Sequence, residues 1–329
     1  MDMTYEQWRQ VRKQIQRQMS VSGWALLIYY GIVNVSVMVF LFAQVLGKLI
    51  QGLISEDYGS ITDAVMQAAE SAWGYFFAAA VGLLLLLIWK KPRFFKEEIF
   101  ATGAPMKAWD FFTILCIFIG GQTVFQFVTM LLELFLNLFG FTIAEGLESL
   151  QSDPDNFSMF LYAGILAPVA EELLFRGLVQ RTMLPFGKKL AILASSLTFG
   201  LYHGNLIQTP YAFVVGLVLG YVAAEYNILW AMVLHMINNL LLGDLLYRLL
   251  AGLPQDTVDM IVWEIILAFS VVAVILMVVR RKEIAAWLRR EPIARVYAGC
   301  YFSSPGTIAL LIVLGATTLF TTWSMIVPL

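Results

Sequence analysis

The chain is dominated by apolar runs about 20 residues long, the length a helix needs to cross the hydrocarbon of a bilayer. Nine such runs centre near residues 34, 80, 125, 168, 197, 217, 238, 270 and 317. Lipid offers no partner to a backbone N–H or C=O, so runs of this kind fold as helices. The predicted fold class is therefore all-α, a polytopic transmembrane helical bundle of about eight to nine spans. Composition agrees: 60% of the 329 residues are hydrophobic and only 13% charged, against roughly 25% charged in soluble domains. The third run, about 110–140, is long enough to tilt or project. The fifth and sixth are short and are joined by the tight stretch HGNLIQTP.

Orientation follows from where Lys and Arg fall. Of 21 basic residues, 19 sit in four segments: Arg9 to Arg17, Lys90 to Lys107, Arg176 to Lys189, and Arg280 to Arg295. Lys48 and Arg248 are the exceptions. The alternating stretches, residues 55–63, 144–156 and 254–259, are acidic or neutral. With nine spans, the N-terminus is expected in the cytoplasm and the C-terminus outside. The first run is too long for a cleavable signal peptide. Two segments are amphipathic and basic, residues 5–19 and RRKEIAAWLRREP, and read as interfacial anchors on an anionic leaflet. Cys116 and Cys300 have no metal-type spacing and read as free packing residues. Nothing points to a nucleic-acid partner; the bilayer is the expected surroundings.

Ionisable residues inside spans are rare and usually face a cavity or a partner. Only two histidines occur, His203 and His235, and both fall in predicted spans. Glu171 and Glu172 precede Arg176 in LAPVAEELLFRGLVQR. Glu172 and Arg176, four apart, share a helix face and can pair. Glu171 points about 100° away and is left for chemistry. The alternative is a helix end at the cytoplasmic surface with Arg176 snorkelling; Lys96, Glu97 and Glu98 form a similar cluster that reads as a solvated face. Phe199 lies four before His203 and packs beside it. His235 and Asn239 share a face, while Asn238 points elsewhere. Imidazoles can bind a divalent metal or polarise a water, a carboxylate can take that water's proton, and an amide can stabilise an oxyanion. At 1.5 Å per residue, Glu171 is expected about 8 Å, His235 about 12 Å and His203 about 21 Å from the basic end. The third depth sits uneasily with the first.

These motifs, Glu171-Glu172-x-x-x-Arg176, Phe199-x-x-x-His203 and His235-x-x-x-Asn239, fall in order on separate spans. They resemble the CPBP or Abi family of intramembrane proteases, which includes the type II CAAX prenyl proteases and bacteriocin-processing or immunity proteins. The resemblance covers about residues 105–250 and divides the chain into an interfacial helix (1–21), two N-terminal spans with a basic loop (22–104), a catalytic core (105–250) and two C-terminal spans (251–329). It implies a cavity inside the membrane open to the cytoplasmic side. In it Glu171 is the general base, His203 and His235 position a water or a metal, Asn239 binds the oxyanion, and Glu172, Arg176 and Phe199 support them. The residues leave open whether Glu171, His203 and His235 hold zinc; the helical HExxH pattern is absent. The partner it implies is a peptide or membrane-tethered protein substrate, lipidated ones included, and the basic-inside bias suggests a prokaryotic plasma membrane. Two other readings stand beside it: a transporter or proton path in which Glu133 and Glu264 take part, and a non-catalytic scaffold or immunity protein of the same fold.

Overall fold

The computed structural model describes residues 4–55, 72–94, 100, 103–148, 156–290 and 292–329. Most of the loop 55–63, much of 144–156 and the Lys96 to Glu98 cluster lie outside the described residues. The helices are α1 (Tyr5–Ser55), α2 (Trp73–Phe94), α3 (Ala108–Gly120), α4 (Gln122–Asn137), α5 (Ala144–Glu148), α6 (Phe157–Phe186), α7 (Lys188–Tyr202), α8 (Gln208–Glu225), α9 (Ile228–Leu250), α10 (Gln255–Val279), α11 (Arg281–Arg290), α12 (Arg295–Phe302) and α13 (Pro305–Ser324). Two-residue strands, β1 (Phe141–Thr142) and β2 (Val327–Pro328), pair antiparallel and clip the C-terminus to the turn after α4.

The fold is all-α as the apolar runs require, but the count of spans differs. Among the described residues six stretches are long and apolar enough to cross a membrane: α1, α3 with α4, α6, α9, α10 and α13. This composition and the fold make the chain an integral membrane protein. The short run, α7, has nine of its 15 residues buried; it is covered by protein on most sides and does not need the length of a lipid-facing helix.

Segment 5–19 is not a helix of its own. It is the start of the continuous 51-residue α1, and the inner end of its apolar face is taken up by protein: Met19 is fully buried with Met183, Leu190, Cys300 and Tyr301, and Ile15 packs beside them, while Tyr5 stays exposed. Glycines let α1 cross α13 closely. A Cβ on Gly23 would lie 2.4 Å from the Gly306 carbonyl carbon, and Gly306 N–H donates to Ser20 Oγ at 2.6 Å. Helix α11 is likewise docked on the bundle. Trp287 Nε1 donates to Glu225 at 2.9 Å, Lys188 pairs with the same carboxylate at 2.8 Å, and Lys189 sits 5.5 Å from the Trp287 ring. Burial of both free cysteines fits their reading as packing residues.

At the centre, α6 and α7 form a hairpin that turns at Gly187, whose φ of +120° suits glycine. Helix α7 then turns into α8 through Gly204, φ +70°. Leu174, Phe175, Leu178, Phe199, Val215, Leu219 and Leu234 from α6, α7, α8 and α9 make the shared core, and the site is built on these four helices.

Candidate active site

Helix α6 is wound unevenly. Residues Tyr162–Leu166 and Leu173–Gln180 follow the wide i→i+5 pattern, and the ordinary α-turn between them, Ala167–Glu172, carries both glutamates. Such wide turns recur at functional sites. Here the first has a cause in the sequence. Ala167 N–H donates to Tyr162 O, five residues back. In that register the next carbonyl, Ala163, faces Pro168, which has no N–H. Ala163 O accepts instead from Asn239 Nδ2 at 2.8 Å.

The two glutamates divide. Glu172 is fully buried; its Oε1 accepts from Arg176 Nη1 at 2.9 Å and from His235 Nδ1 at 3.0 Å. Glu171 keeps 21% of its side chain exposed, and its Oε2 lies 3.8 Å from His235 Nε2. Arg176 is 1% exposed, donates through Nη2 to Gly216 O at 3.1 Å and covers the Phe199 ring at 4.5 Å. The alternative of a snorkelling arginine at a surface helix end is thus overturned, because α6 runs on ten residues beyond it to Phe186. The depth conflict goes with it. Glu171 and His203 each lie 16 residues from Gly187, on opposite arms of one hairpin, so both sit about 24 Å along their helices from the turn.

His203 caps α7. Its Nδ1 is 2.9 Å from Phe199 O; a carbonyl only accepts, so Nδ1 carries the proton and Nε2 presents its lone pair. The following turn is fixed by Gly204, by Asn205 Nδ2 donating to His203 O at 3.1 Å, and by Gln208 N–H donating to Asn205 Oδ1 at 2.8 Å. Helix α13 braces it: Leu206 N–H donates to Thr322 Oγ1 at 2.8 Å and Thr318 Oγ1 to Leu201 O at 3.4 Å. His235 is held the same way through its Nδ1–H on the Glu172 carboxylate, which turns Nε2 toward Glu171. A carboxylate or carbonyl behind each imidazole is the arrangement that sets tautomer and ring orientation. Phe199 is the common wall: its ring meets His203 edge-on at 4.9 Å and His235 at 5.7 Å.

The structure therefore brings Glu171, Glu172, Arg176, Phe199, His203 and His235 into one cluster. Asn239 is reached through a separate chain of hydrogen bonds. Asn238 does not simply point elsewhere. Its Oδ1 accepts from Gln122 Nε2 and Tyr211 Oη, both at 3.1 Å, and its Nδ2 donates to Asn239 Oδ1 at 3.1 Å. Sequence reasoning missed Gln122, Tyr211 and Asn238, although a glutamine at the centre of an apolar run is itself a signal. It also missed three tyrosines, Tyr29, Tyr162 and Tyr202, that lie within electrostatic reach of Glu171. Tyr29 comes from α1 and fits because Gly82 of α2 leaves room; a Cβ there would lie 2.1 Å from its ring.

Glu133 is engaged elsewhere. It accepts from Thr142 Oγ1 at 2.6 Å and from Ile143 N–H at 3.0 Å, stapling the turn after α4. Among the described residues no three His, Cys, Asp or Glu side chains are disposed to hold a metal ion. Zinc on Glu171, His203 and His235 stays an expectation of the resemblance, and no step below runs through it.

No curated protein and no solved structure matches the chain. Residues 153–241, which contain all three motifs, match the family described as Type II CAAX prenyl endopeptidase Rce1-like, in agreement with the family those motifs resemble.

Proposed function

We propose that the chain is an intramembrane endopeptidase that cleaves membrane-tethered or lipidated peptides with a water activated by Glu171. One observation carries this reading: of two adjacent glutamates, one is sealed and spent on holding Arg176 and His235, while the other is partly exposed and faces His235 Nε2. The 3.8 Å between Glu171 Oε2 and that nitrogen is short enough for one water to touch both.

Glu171 takes a proton from the water as its oxygen bonds to the peptide carbonyl carbon. His235 Nε2, the lone-pair nitrogen 3.8 Å from Glu171 Oε2, accepts the water's second hydrogen and orients the attack, with His203 beside it across the Phe199 ring. Asn239 Nδ2 has one hydrogen committed to Ala163 O; its other is the donor for the oxyanion. When the C–N bond breaks, the proton on Glu171 passes to the leaving amine. Phe199 and Glu172 hold the imidazoles, and Arg176 neutralises Glu172. The cluster of basic residues at one end of the bundle, Lys188, Lys189 and Arg280, supports a cytoplasmic position for that end. Engagement of Glu133 in a turn favours hydrolysis over an ion path through that residue.

The test is cleavage of a fluorogenic, C-terminally lipidated peptide by the purified chain in nanodiscs. Glu171→Gln keeps shape and removes the base, and is expected to lower kcat by about 10²–10⁴ with folding intact. Wild-type rates from Glu171→Gln would overturn the proposal.

A further inference from the structure

We infer that Asn238 is a positioning residue, the hub of a one-way hydrogen-bond chain that fixes which end of the Asn239 amide faces the reacting carbonyl. This rests on the hydrolytic reading above and adds residues that neither the motifs nor the resemblance contain.

The two ends of an asparagine amide are nearly the same shape and opposite in function. Turned one way, Asn239 offers N–H to a developing oxyanion; turned by 180°, it offers an oxygen that repels it. The surroundings leave one choice. Asn238 Oδ1 is occupied by two donors, Gln122 Nε2 of α4 and Tyr211 Oη of α8. Its nitrogen donates to Asn239 Oδ1; a glutamine amide and a tyrosine hydroxyl can each turn round, so the polarity of the chain is anchored at its far end, where the Ala163 carbonyl can only accept. With that oxygen committed, Asn239 Nδ2 faces Ala163 O, the carbonyl that Pro168 leaves without a backbone donor. Within the Asn238–Asn239 pair both oxygens meet donors and both nitrogens meet acceptors. Asn238 is 9% exposed, so water competes little for these contacts.

Two local departures from helix geometry build the chain. Asn238 and Asn239 open the wide turn Asn238–Leu245 of α9. Gln122 is the first residue of α4, just after the break at Gly121. The break is held from outside the site. Gly120 O accepts from Thr123 Oγ1 and from Ser270 Oγ of α10, and a Cβ on Gly120 would lie 2.9 Å from Ser270 Cα.

The experiment uses the full chain in nanodiscs with a fluorogenic, C-terminally farnesylated peptide. Asn238→Asp keeps an oxygen for Gln122 and Tyr211 but removes the donor to Asn239. It is expected to lower kcat about tenfold or more while KM stays within about twofold, since the donor acts on the transition state. In an Asn239→Ala background the same change is expected to cost nothing further. The double variant Gln122→Met with Tyr211→Phe leaves Asn238 in place and unlocks its amide, and should behave alike. A kcat within twofold of wild type, or a loss that multiplies with Asn239→Ala, overturns the inference. Failure of the hydrolytic reading shows separately, as full activity of Glu171→Gln or no cleavage by wild type. In that event thermal unfolding decides: Tm losses of Asn238→Asp and Asn239→Ala that fail to add support the chain, and additive losses overturn it.

Discussion

Glu172→Ala tests the buried end of the site. In the wild type the Arg176 guanidinium is 1% exposed and has three neighbours: Glu172 Oε1 at 2.9 Å, Gly216 O at 3.1 Å and the Phe199 ring at 4.5 Å. Removing the carboxylate leaves a full positive charge with one carbonyl and one ring. Breaking a buried pair from one side costs about 3–5 kcal/mol, and at about 2 °C per kcal/mol for a chain of this size Tm should fall by about 6–10 °C. The same change frees His235 Nδ1–H, whose acceptor at 3.0 Å is that same oxygen, so cleavage should fall more than the loss of folded protein explains. Glu172→Leu with Arg176→Met separates the two effects. It removes both charges, so most of the Tm should return, while His235 stays without its acceptor and the rate stays low. Differential scanning fluorimetry in detergent and initial cleavage rates read both. A Tm drop under about 2 °C for Glu172→Ala, or recovery of rate together with Tm in the double variant, would refute this account.

Pro168→Ala restores a backbone N–H opposite Ala163 O; Tm should rise by a degree or more while kcat falls, because Asn239 loses sole use of that carbonyl. Gly204→Ala forces a Cβ into φ +70°, a strain of about 1–2 kcal/mol; nothing crowds the added carbon, so the strain shows as a Tm loss of a few degrees and a displaced His203 with lowered kcat. Glu133→Gln should leave cleavage within about twofold of wild type and lower Tm slightly, with no change in proton flux in liposomes; an inactive but folded variant would contradict its role as a turn staple.

Much of the site was legible in the sequence because charge in an apolar run has few explanations. Glu172 and Arg176 pair at four residues as spacing demands, and Phe199 lies against His203 for the same reason. The errors came from assuming even helices with ends at charges. Arg176 looked like a terminus, yet its helix continues to Phe186, and the depth of Glu171 was misjudged by the same mistake. Asn238 meets Gln122 and Tyr211 rather than His235, yet its amide also reaches the neighbouring Asn239, a link that helical spacing alone does not show. Segment 5–19 has the pattern of a surface helix; the inner end of its apolar stripe, Ile15 and Met19, is covered by residues of α6, α7 and α12, contacts far away in sequence that periodicity cannot show.

The bracing of the His203 turn by Thr318 and Thr322 sets an order of events during synthesis. Those threonines follow all three motifs in the chain and so leave the ribosome after them. A nascent chain is therefore expected to hold all three motifs and yet lack a fixed His203 imidazole until α13 inserts, which, on the hydrolytic reading proposed above, would keep an incomplete centre from acting on neighbouring polypeptides. Chains ended at residue 303 and supplied with α13 as a separate peptide would test this: rescue of cleavage by the peptide is the expected result, and full activity without it would count against such a safeguard.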